Sequence, residues 1–341
     1  MPEYLITLET KDNQIIKFTC RNQEDVITAA ERQQIILPQQ CKSGVCGFCT
    51  AMKIHGKYTL QDYNPAALGP EQIATGKSLL CRTYPEANLT IYTNYNYSDI
   101  KFGQIPTVIC SVLETQMVTS DVLHVIVKQA ADGTDLISAN MLAGQYVHIL
   151  PIDRSCHRAY SIANTPNWDG LLEFYIENRS DGTLSSRLKS TQAGEHLLIQ
   201  GPYGNFVIKE HGLKPRWFVA GGTGLSPILG MLGQMAELGE PHPTRLFFGL
   251  RYPKQLFAKE ILDKLKSRLP DFDFQLCLSH PEPSWNFYQG SVLAALETAF
   301  SNTVDTPDVY ICGSNRLIDS VVALANKYGI NNQGIIYERF E

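Results

Sequence analysis

The sequence predicts a multidomain chain of α+β and α/β type. A small sheet crossed by one helix comes first, an antiparallel Greek-key β-barrel second, and a doubly wound parallel sheet last. Three observations lead there. A cysteine-rich loop at residues 41–49 lies among short β-patterned runs. Residues 107–208 hold many short β-patterned runs and little helix, the pattern of a closed antiparallel sheet. From about Pro215, apolar strand-like runs alternate with amphipathic helical stretches, the pattern of a parallel sheet covered by helices.

The loop reads Cys-Lys-Ser-Gly-Val-Cys-Gly-Phe-Cys, so Cys41, Cys46 and Cys49 have the spacing C-x₄-C-x₂-C. A fourth cysteine, Cys81, follows in Leu-Leu-Cys-Arg. This is the known spacing of plant-type [2Fe–2S] sites, matched here as a pattern. The chemistry explains it. Two irons bridged by two sulfides need four thiolates, and one tight loop supplies three. Gly44 and Gly47 allow that loop positive φ and bring N–H groups near the sulfurs. Zinc is the other reading, but zinc sites usually show two short C-x₂-C pairs. Cys41, Cys46, Cys49 and Cys81 are therefore the expected metal ligands.

Around the loop, residues 4–9 and 14–20 are β-rich, with a hairpin turn at Lys11-Asp12-Asn13. Val26, Ala29, Ala30 and Gln33 have helical spacing within 25–35, and Asp25 suits an N-cap. Met52-Lys53-Ile54 and Leu89–Tyr92 suit further strands. These elements fit a β-grasp ferredoxin domain over residues 1–97.

A stretch poor in large aliphatic residues, Asn94 to Pro106, separates this domain from a barrel over 105–210. Barrel strands are expected at Thr107–Leu113, Val122–Lys128, Gln145–Leu150, Leu171–Ile176 and His196–Ile199, with turns at Asp132-Gly133 and Asp169-Gly170. A short helix at 184–190 follows Asp181-Gly182-Thr183. Two motifs here suit a dinucleotide. Arg158-Ala159-Tyr160-Ser161 opens a strand, and offers a bidentate phosphate ligand, a flat ring and a hydroxyl. Alone, that tetrapeptide is an ordinary strand. Gly182-Thr183-Leu184-Ser185 enters a helix N-terminus, where N–H groups and the dipole favour a diphosphate. Together, Arg158 and that N-terminus suit FAD.

The last domain, 214–341, pairs strand Trp217–Ala220 with helix 226–238, Arg245–Leu250 with 255–268, Phe272–Leu278 with 291–300, and Val309–Cys312 with 316–328. Gly221-Gly222-Thr223-Gly224 follows the first strand and opens a helix, with Pro227 in its first turn. Glycines there permit close backbone approach to a dinucleotide, although the run is not G-x-G-x-x-G and also reads as a structural turn. Cys312-Gly313 ends a later strand on the same edge. Cys312 is read either as a nicotinamide neighbour or as a small buried residue.

A net charge of −5 argues against a nucleic-acid partner. The N-terminus lacks a basic and an apolar segment of signal type, and no long apolar run predicts a membrane span. Cys20, Cys110, Cys156, Cys277 and Cys312 are scattered singly and read as free thiols of a reducing cytoplasm.

The order of cysteine loop, R-x-Y-S barrel and G-G-T-G domain resembles the ferredoxin–NADP reductase superfamily. More narrowly, it is similar to the reductase components of bacterial multicomponent oxygenases, of the branch serving soluble methane monooxygenase and related di-iron monooxygenases. The stretches that carry the resemblance are 25–30, 80–85, 218–225 and Tyr337-Glu338-Arg339-Phe340, and it spans essentially the whole chain. It implies NADH-dependent electron transfer through FAD and [2Fe–2S] to a hydroxylase component. It also implies that Gly221 to Gly224, Cys312 and Gly313 face the nicotinamide nucleotide. Glu338 and Phe340 match the family's C-terminal acid and flavin-side aromatic, and a cytoplasmic monomer is expected. A reductase of a Rieske-type aromatic-ring dioxygenase shares the domain order. A ferredoxin-like binding module with a vestigial flavoprotein half is a reading of another class, and the intact cysteines and nucleotide loops oppose it.

Two departures from the family pattern stand out. Glu177 replaces a common Arg or Lys before the second flavin loop, with Arg179 two residues on. Cys312-Gly313-Ser314-Asn315 lacks the usual prolines. Nucleotide choice is also legible. No Lys or Arg lies between Arg268 and Arg316, and Glu282 follows strand Phe272–Leu278, so NADH is expected over NADPH. Arg251 and Lys254 are the opposing candidates.

Overall fold

A computed structural model describes the chain apart from Met1, Ser43, Ala66, residues 131–135, Ser180, Asp181 and Glu341, and the side chain of Asn332. The expected turn at Asp132-Gly133 and the residue Asp181 lie outside the described residues. Contacts divide the chain into two units, residues 1–105 and 106–340.

The first unit contains β1 (Glu3–Glu9), β2 (Ile15–Arg21), α1 (Val26–Arg32), β3 (Ile35–Ile36), β4 (Thr50–His55), β5 (Tyr58–Leu60), α2 (Pro70–Ala74), β6 (Lys77–Leu79), β7 (Thr83–Pro85), β8 (Leu89–Tyr92) and β9 (Lys101–Phe102). Its main sheet has the order β2-β1-β8-β4-β6, with β1 and β8 parallel. The hairpin turns at Asn13, φ 60°. Asp25 caps α1 by accepting the N–H of Thr28 at 3.0 Å, and Val26, Ile27, Ala29 and Ala30 bury the helix against the sheet. Gln33 falls just past the helix, where its side chain bonds the backbone of Thr19. The short pairs β3·β9 and β5·β7 were not expected.

The second unit begins with a six-stranded antiparallel sheet: β10 (Thr107–Met117), β11 (Val122–Gln129), β12 (Tyr146–Pro151), β13 (Arg158–Ser161), β14 (Leu171–Glu177) and β15 (His196–Tyr203). Its order, β13-β12-β15-β10-β11-β14, requires Greek-key crossings. The outer strands approach each other, with Ala163 N–H donating to Glu173 O at 2.8 Å, so the barrel is nearly closed. β10 runs past the expected Leu113 because a bulge between Val112 and Glu114 keeps its pairing with β11. Helix α3 (Ile137–Asn140) was not expected; α4 (Thr183–Ser190) was.

The rest is a parallel sheet of order β19-β18-β17-β16-β20-β21. Its elements are β16 (Arg216–Gly221), α5 (Leu225–Leu238), β17 (Thr244–Leu250), α6 (Lys259–Arg268), β18 (Phe272–Leu278), β19 (Tyr288–Gln289), α7 (Val292–Ser301), β20 (Asp308–Ser314), α8 (Asn315–Lys327) and β21 (Ile335–Phe340). Both faces are covered. Phe218, Ala220, Phe248, Tyr310 and Cys312 join a core with α5 and α6. Their strand neighbours Trp217, Val219, Phe247 and Ile311 join another with α7 and α8. One expectation needs correction: helix 255–268 starts at Lys259, because Ala258 sits at φ 57° and Pro253–Gln255 forms a separate turn. Among the described residues no helix is long and apolar enough to cross a membrane.

Candidate functional site

Strand pairing explains how a distant cysteine reaches the loop. Cys49 precedes β4, Cys81 follows β6, and the two strands pair antiparallel with Thr50 opposite Leu79. Leu80 N–H donates to Cys49 O at 3.0 Å, and the Cys49 and Cys81 sulfurs lie 3.3 Å apart without a disulfide. Cys46 lies against Cys41, and Cys81 against Cys41 as well as Cys49, so the four sulfurs are contiguous. Three are buried and Cys41 is half-buried. Gly44 and Gly47 adopt φ 79° and 74°, and Phe48 N–H points at Cys46 Sγ, 3.4 Å away.

This crowding has an electrostatic consequence. The Cys41 thiol, then burial, pushes Cys46 far above the ordinary thiol range. Cys41 and Cys49, then burial, do the same to Cys81. Four thiolates persist here only if positive charge joins them, which bound iron supplies. Among the described residues no group of three or more His, Cys, Asp or Glu side chains surrounds a single-ion position. A two-iron cluster divides four thiolates between two irons and does not need such a group.

Arg82 was missed from the sequence, although its adjacency to Cys81 was a signal. Its Nε is buried and has no hydrogen-bond partner among the described residues. It packs on the cysteine loop: a Cβ added at Gly44 would lie 2.8 Å from Arg82 Cγ and 3.1 Å from its Nε. Lys42, within the same loop, is held by Glu31 of α1 at 2.6 Å.

The second constellation lies on the barrel's edge strand. In β13, Arg158 and Ala159 are exposed, Tyr160 is half-buried and Ser161 is buried. Arg158 Nη1 donates to His157 O at 2.7 Å. Burial pushes the Tyr160 phenol up to about 12, although the cations of Arg158 and Arg179 both act on it in the opposite sense. Arg179 also pairs with Glu177 at 3.3 Å, and both are about half exposed. At the start of α4 the cap residue is Gly182, which has no side chain to occupy the first-turn N–H groups. A Cβ there would lie 2.3 Å from Ser185 Oγ. Thr183 is exposed, whereas Leu184 and Ser185 are buried. Arg187 of α4 pairs with Asp153, just before β13, at 2.9 Å. A diphosphate therefore has cations to meet and, among the described residues, first-turn N–H groups that no cap side chain occupies.

The third constellation is produced by register. Ala220, Cys312 and Glu338 are aligned across β16, β20 and β21 at the carboxyl edge of the sheet. Ser161 Oγ–H donates to Glu338 Oε2 at 2.8 Å, joining the barrel to this row. Glu338 is 2% exposed and Cys312 fully buried. Burial, then the Glu338 charge, pushes the Cys312 thiol up. Phe340 packs against the same core. Gly221 ends β16 and Gly222–Gly224 form a single turn leading into α5. A Cβ at Gly224 would lie 2.2 Å from Cys312 O, whereas Gly222, at φ 55°, faces open space and Thr223 is half-buried. Gly313 abuts Leu317 and the Gly221 backbone. Further along this edge Tyr252 stacks on His280, ring centroids 5.1 Å apart, and Arg251, Lys254 and Glu282 are exposed.

Comparison with known proteins agrees with three functional parts. Residues 9–86 match the 2Fe-2S iron-sulfur cluster binding domain, 110–208 the oxidoreductase FAD-binding domain, and 218–323 the oxidoreductase NAD-binding domain. Methane monooxygenase component C of Methylosinus trichosporium is 33% identical over 298 residues, 86% of each chain. The reductase component of propane 2-monooxygenase of Mycolicibacterium goodii is 27% identical, covering 95% of this chain and 94% of its own. The anthranilate 1,2-dioxygenase electron transfer component of Acinetobacter baylyi is 29% identical, covering 98% and 96%. Among solved structures, the Amycolatopsis cytochrome P450 reductase GcoB shares the fold with a TM-score of 0.79 at 21% identity over 98% of both chains.

Proposed function

Because the chain belongs to the family of iron–sulfur flavoprotein reductase components of oxygenases, we propose that it serves a di-iron monooxygenase of the methane or alkane type. It is an oxidoreductase that carries electrons from NADH through FAD and a [2Fe–2S] cluster to an oxygenase. The observation behind the narrower assignment is its 33% identity to methane monooxygenase component C, against 29% for the anthranilate dioxygenase component and 27% for the propane 2-monooxygenase reductase component, so identity favours the methane branch in particular.

In this reading Cys41, Cys46, Cys49 and Cys81 hold the cluster. Arg158, Ala159, Tyr160 and Ser161, with Gly182 to Ser185, hold the FAD, and Arg179 adds charge beside Tyr160. Gly221 to Gly224 and Gly313 give the nicotinamide nucleotide a close backbone bed. When bound, the flavin converts a two-electron hydride into single electrons that an iron–sulfur centre accepts. Around it the protein binds, orients and excludes water. Ser161 fixes the Glu338 carboxylate by its 2.8 Å hydrogen bond. Burial and the nearby Glu338 charge keep the proton on Cys312 Sγ. Cys312 thus stays a neutral, buried neighbour within the strand edge, and Phe340 packs against the same core. The proposed domains run 1–97, 105–210 and 214–341, in a cytoplasmic monomer.

The test uses the loaded holoenzyme with a purified di-iron hydroxylase or with a Rieske-type terminal oxygenase. NADH-driven product formation is expected with the hydroxylase. Cys46→Ser is expected to keep NADH:ferricyanide activity and lose hydroxylase turnover. Turnover with the Rieske partner alone would reverse the assignment, and a working Cys46→Ser would refute the electron route.

A further inference from the structure

The turn between β10 and β11 touches two loops that the proposed function uses separately. Asp121, in that turn, accepts Asn178 N–H at its carbonyl at 2.8 Å, where β14 gives way to the flavin loop. Its carboxylate faces the other way. Oδ2 accepts Gln255 Nε2 at 2.9 Å, a contact between residues 134 positions apart. Oδ1 accepts Thr119 Oγ1–H at 2.8 Å, which fixes the carboxylate's orientation.

Gln255 carries the connection onward. Its Oε1 accepts the backbone N–H groups of Arg251 and Tyr252, each at 3.2 Å. These residues leave the carboxyl end of β17, next to the Gly221–Gly224 turn. In a doubly wound sheet the adenosine half of a dinucleotide lies across such strand ends. Tyr252 stacks on His280 from the end of β18, and Lys254 Nζ stands 5.8 Å over the Tyr252 ring. One amide side chain therefore holds the backbone of a nucleotide-facing loop at one end and the flavin barrel at the other. Asn178, Asp121, Gln255 and Arg251–Tyr252 form a continuous hydrogen-bonded path. Both Asp121 and Gln255 are partly buried, so water competes less for these bonds.

We propose that Gln255 and Asp121 are a positioning bridge that sets NADH affinity by fixing the 251–255 loop to the flavin barrel. Neither side chain touches the reacting atoms. The proposal rests on the carboxyl edge being the nucleotide site.

Steady-state kinetics of the holoenzyme with NADH and ferricyanide test it, on Gln255→Ala, Asp121→Ala, Asp121→Asn and the double alanine variant. Each alanine is expected to raise KM for NADH about three- to tenfold and leave kcat within about twofold. The double variant is expected to be no worse than the singles, because both remove one path. Asp121→Asn retains a carbonyl oxygen for Gln255 and is expected to restore KM. Unchanged KM in both alanine variants would overturn the bridge, as would additive effects. An equal fall in kcat and flavin retention that Asp121→Asn fails to rescue would also overturn it, leaving a merely structural contact. Thr223→Val separates the two levels. If it raises KM while the bridge variants do not, only the bridge fails; if none moves KM, the edge is not the nucleotide site.

Discussion

Gly222 and Gly224 are two residues apart, yet replacing each by alanine should have very different consequences. At Gly224 an added Cβ would stand 2.2 Å from Cys312 O, 2.6 Å from Cys312 C and 3.0 Å from Gly313 N. The first distance is about 1.3 Å short of the ~3.5 Å at which carbon contacts become favourable. Every atom met is backbone. Cys312 is also held on both sides, opposite Ala220 in β16 and Glu338 in β21. The strand cannot yield, so the start of α5 must lift. Overpacking of this kind costs up to about 3 kcal/mol. At about 2–4 °C per kcal/mol for a unit of this size, Gly224→Ala should lower the melting temperature by about 6–12 °C. Gly222 has no atom within 4 Å of an added Cβ, and only its φ of 55° opposes a side chain. Gly222→Ala should cost about 1 kcal/mol and about 2–4 °C. The assay is flavin-fluorescence melting of the holoenzyme, with KM for NADH measured in parallel. Gly224→Ala should also raise KM more than tenfold. A Gly224→Ala protein that melts within about 2 °C of Gly222→Ala would refute the close approach of turn and strand.

Arg82→Gln should lower the cluster's midpoint potential, because removing a cation disfavours the more negative reduced state. The expected drop, on the order of 50 mV, is read by EPR-monitored redox titration; Arg82→Lys should retain most of the wild-type value, and no change in Arg82→Gln would place the guanidinium away from the cluster's field. NADH should exceed NADPH in kcat/KM with ferricyanide, since an acid, Glu282, follows β18 and no Lys or Arg lies between Arg268 and Arg316 to meet a 2′-phosphate. A preference below about tenfold, or ~1.4 kcal/mol, would instead make Arg251 a phosphate ligand.

The cysteine set was legible because its chemistry dictates local spacing. Helix α1 was legible because Asp25 marks its cap and Val26, Ala29 and Ala30 its buried face, whereas Gln33 fell just beyond its end. The sheet's strands and helices were legible from their alternating periods. What escaped depends on contacts without a local pattern. Strands β5 and β7 have three residues each, too few for alternation to register. Helix α6 begins late because Ala258 takes a left-handed conformation that a good helix former does not advertise. Arg82 matters through Gly44, and Gln255 through Asp121. Both contacts arise only when separate segments fold together.

The row Ala220–Cys312–Glu338 shows where sequence reasoning stops and could have gone further. Alternation along β16 and β20 assigns Phe218, Ala220, Tyr310 and Cys312 to one face, and Trp217, Val219, Val309 and Ile311 to the other. That division depends only on a period of two and was available from the residues. The alignment of Cys312 with Glu338 was not, because it needs the register of two strands. A one-residue slip of β20 would turn Cys312 toward α7 and α8 and Ile311 toward the core packed by α5 and α6. Such a slip would also bring Tyr310 out of the core where it stacks on Phe218, ring centroids 5.0 Å apart. The large aromatic core residues thus hold the strand in the register that sets Cys312 opposite Glu338. The hydrogen bond from Ser161, 177 residues away, then selects the orientation of Glu338 within that frame.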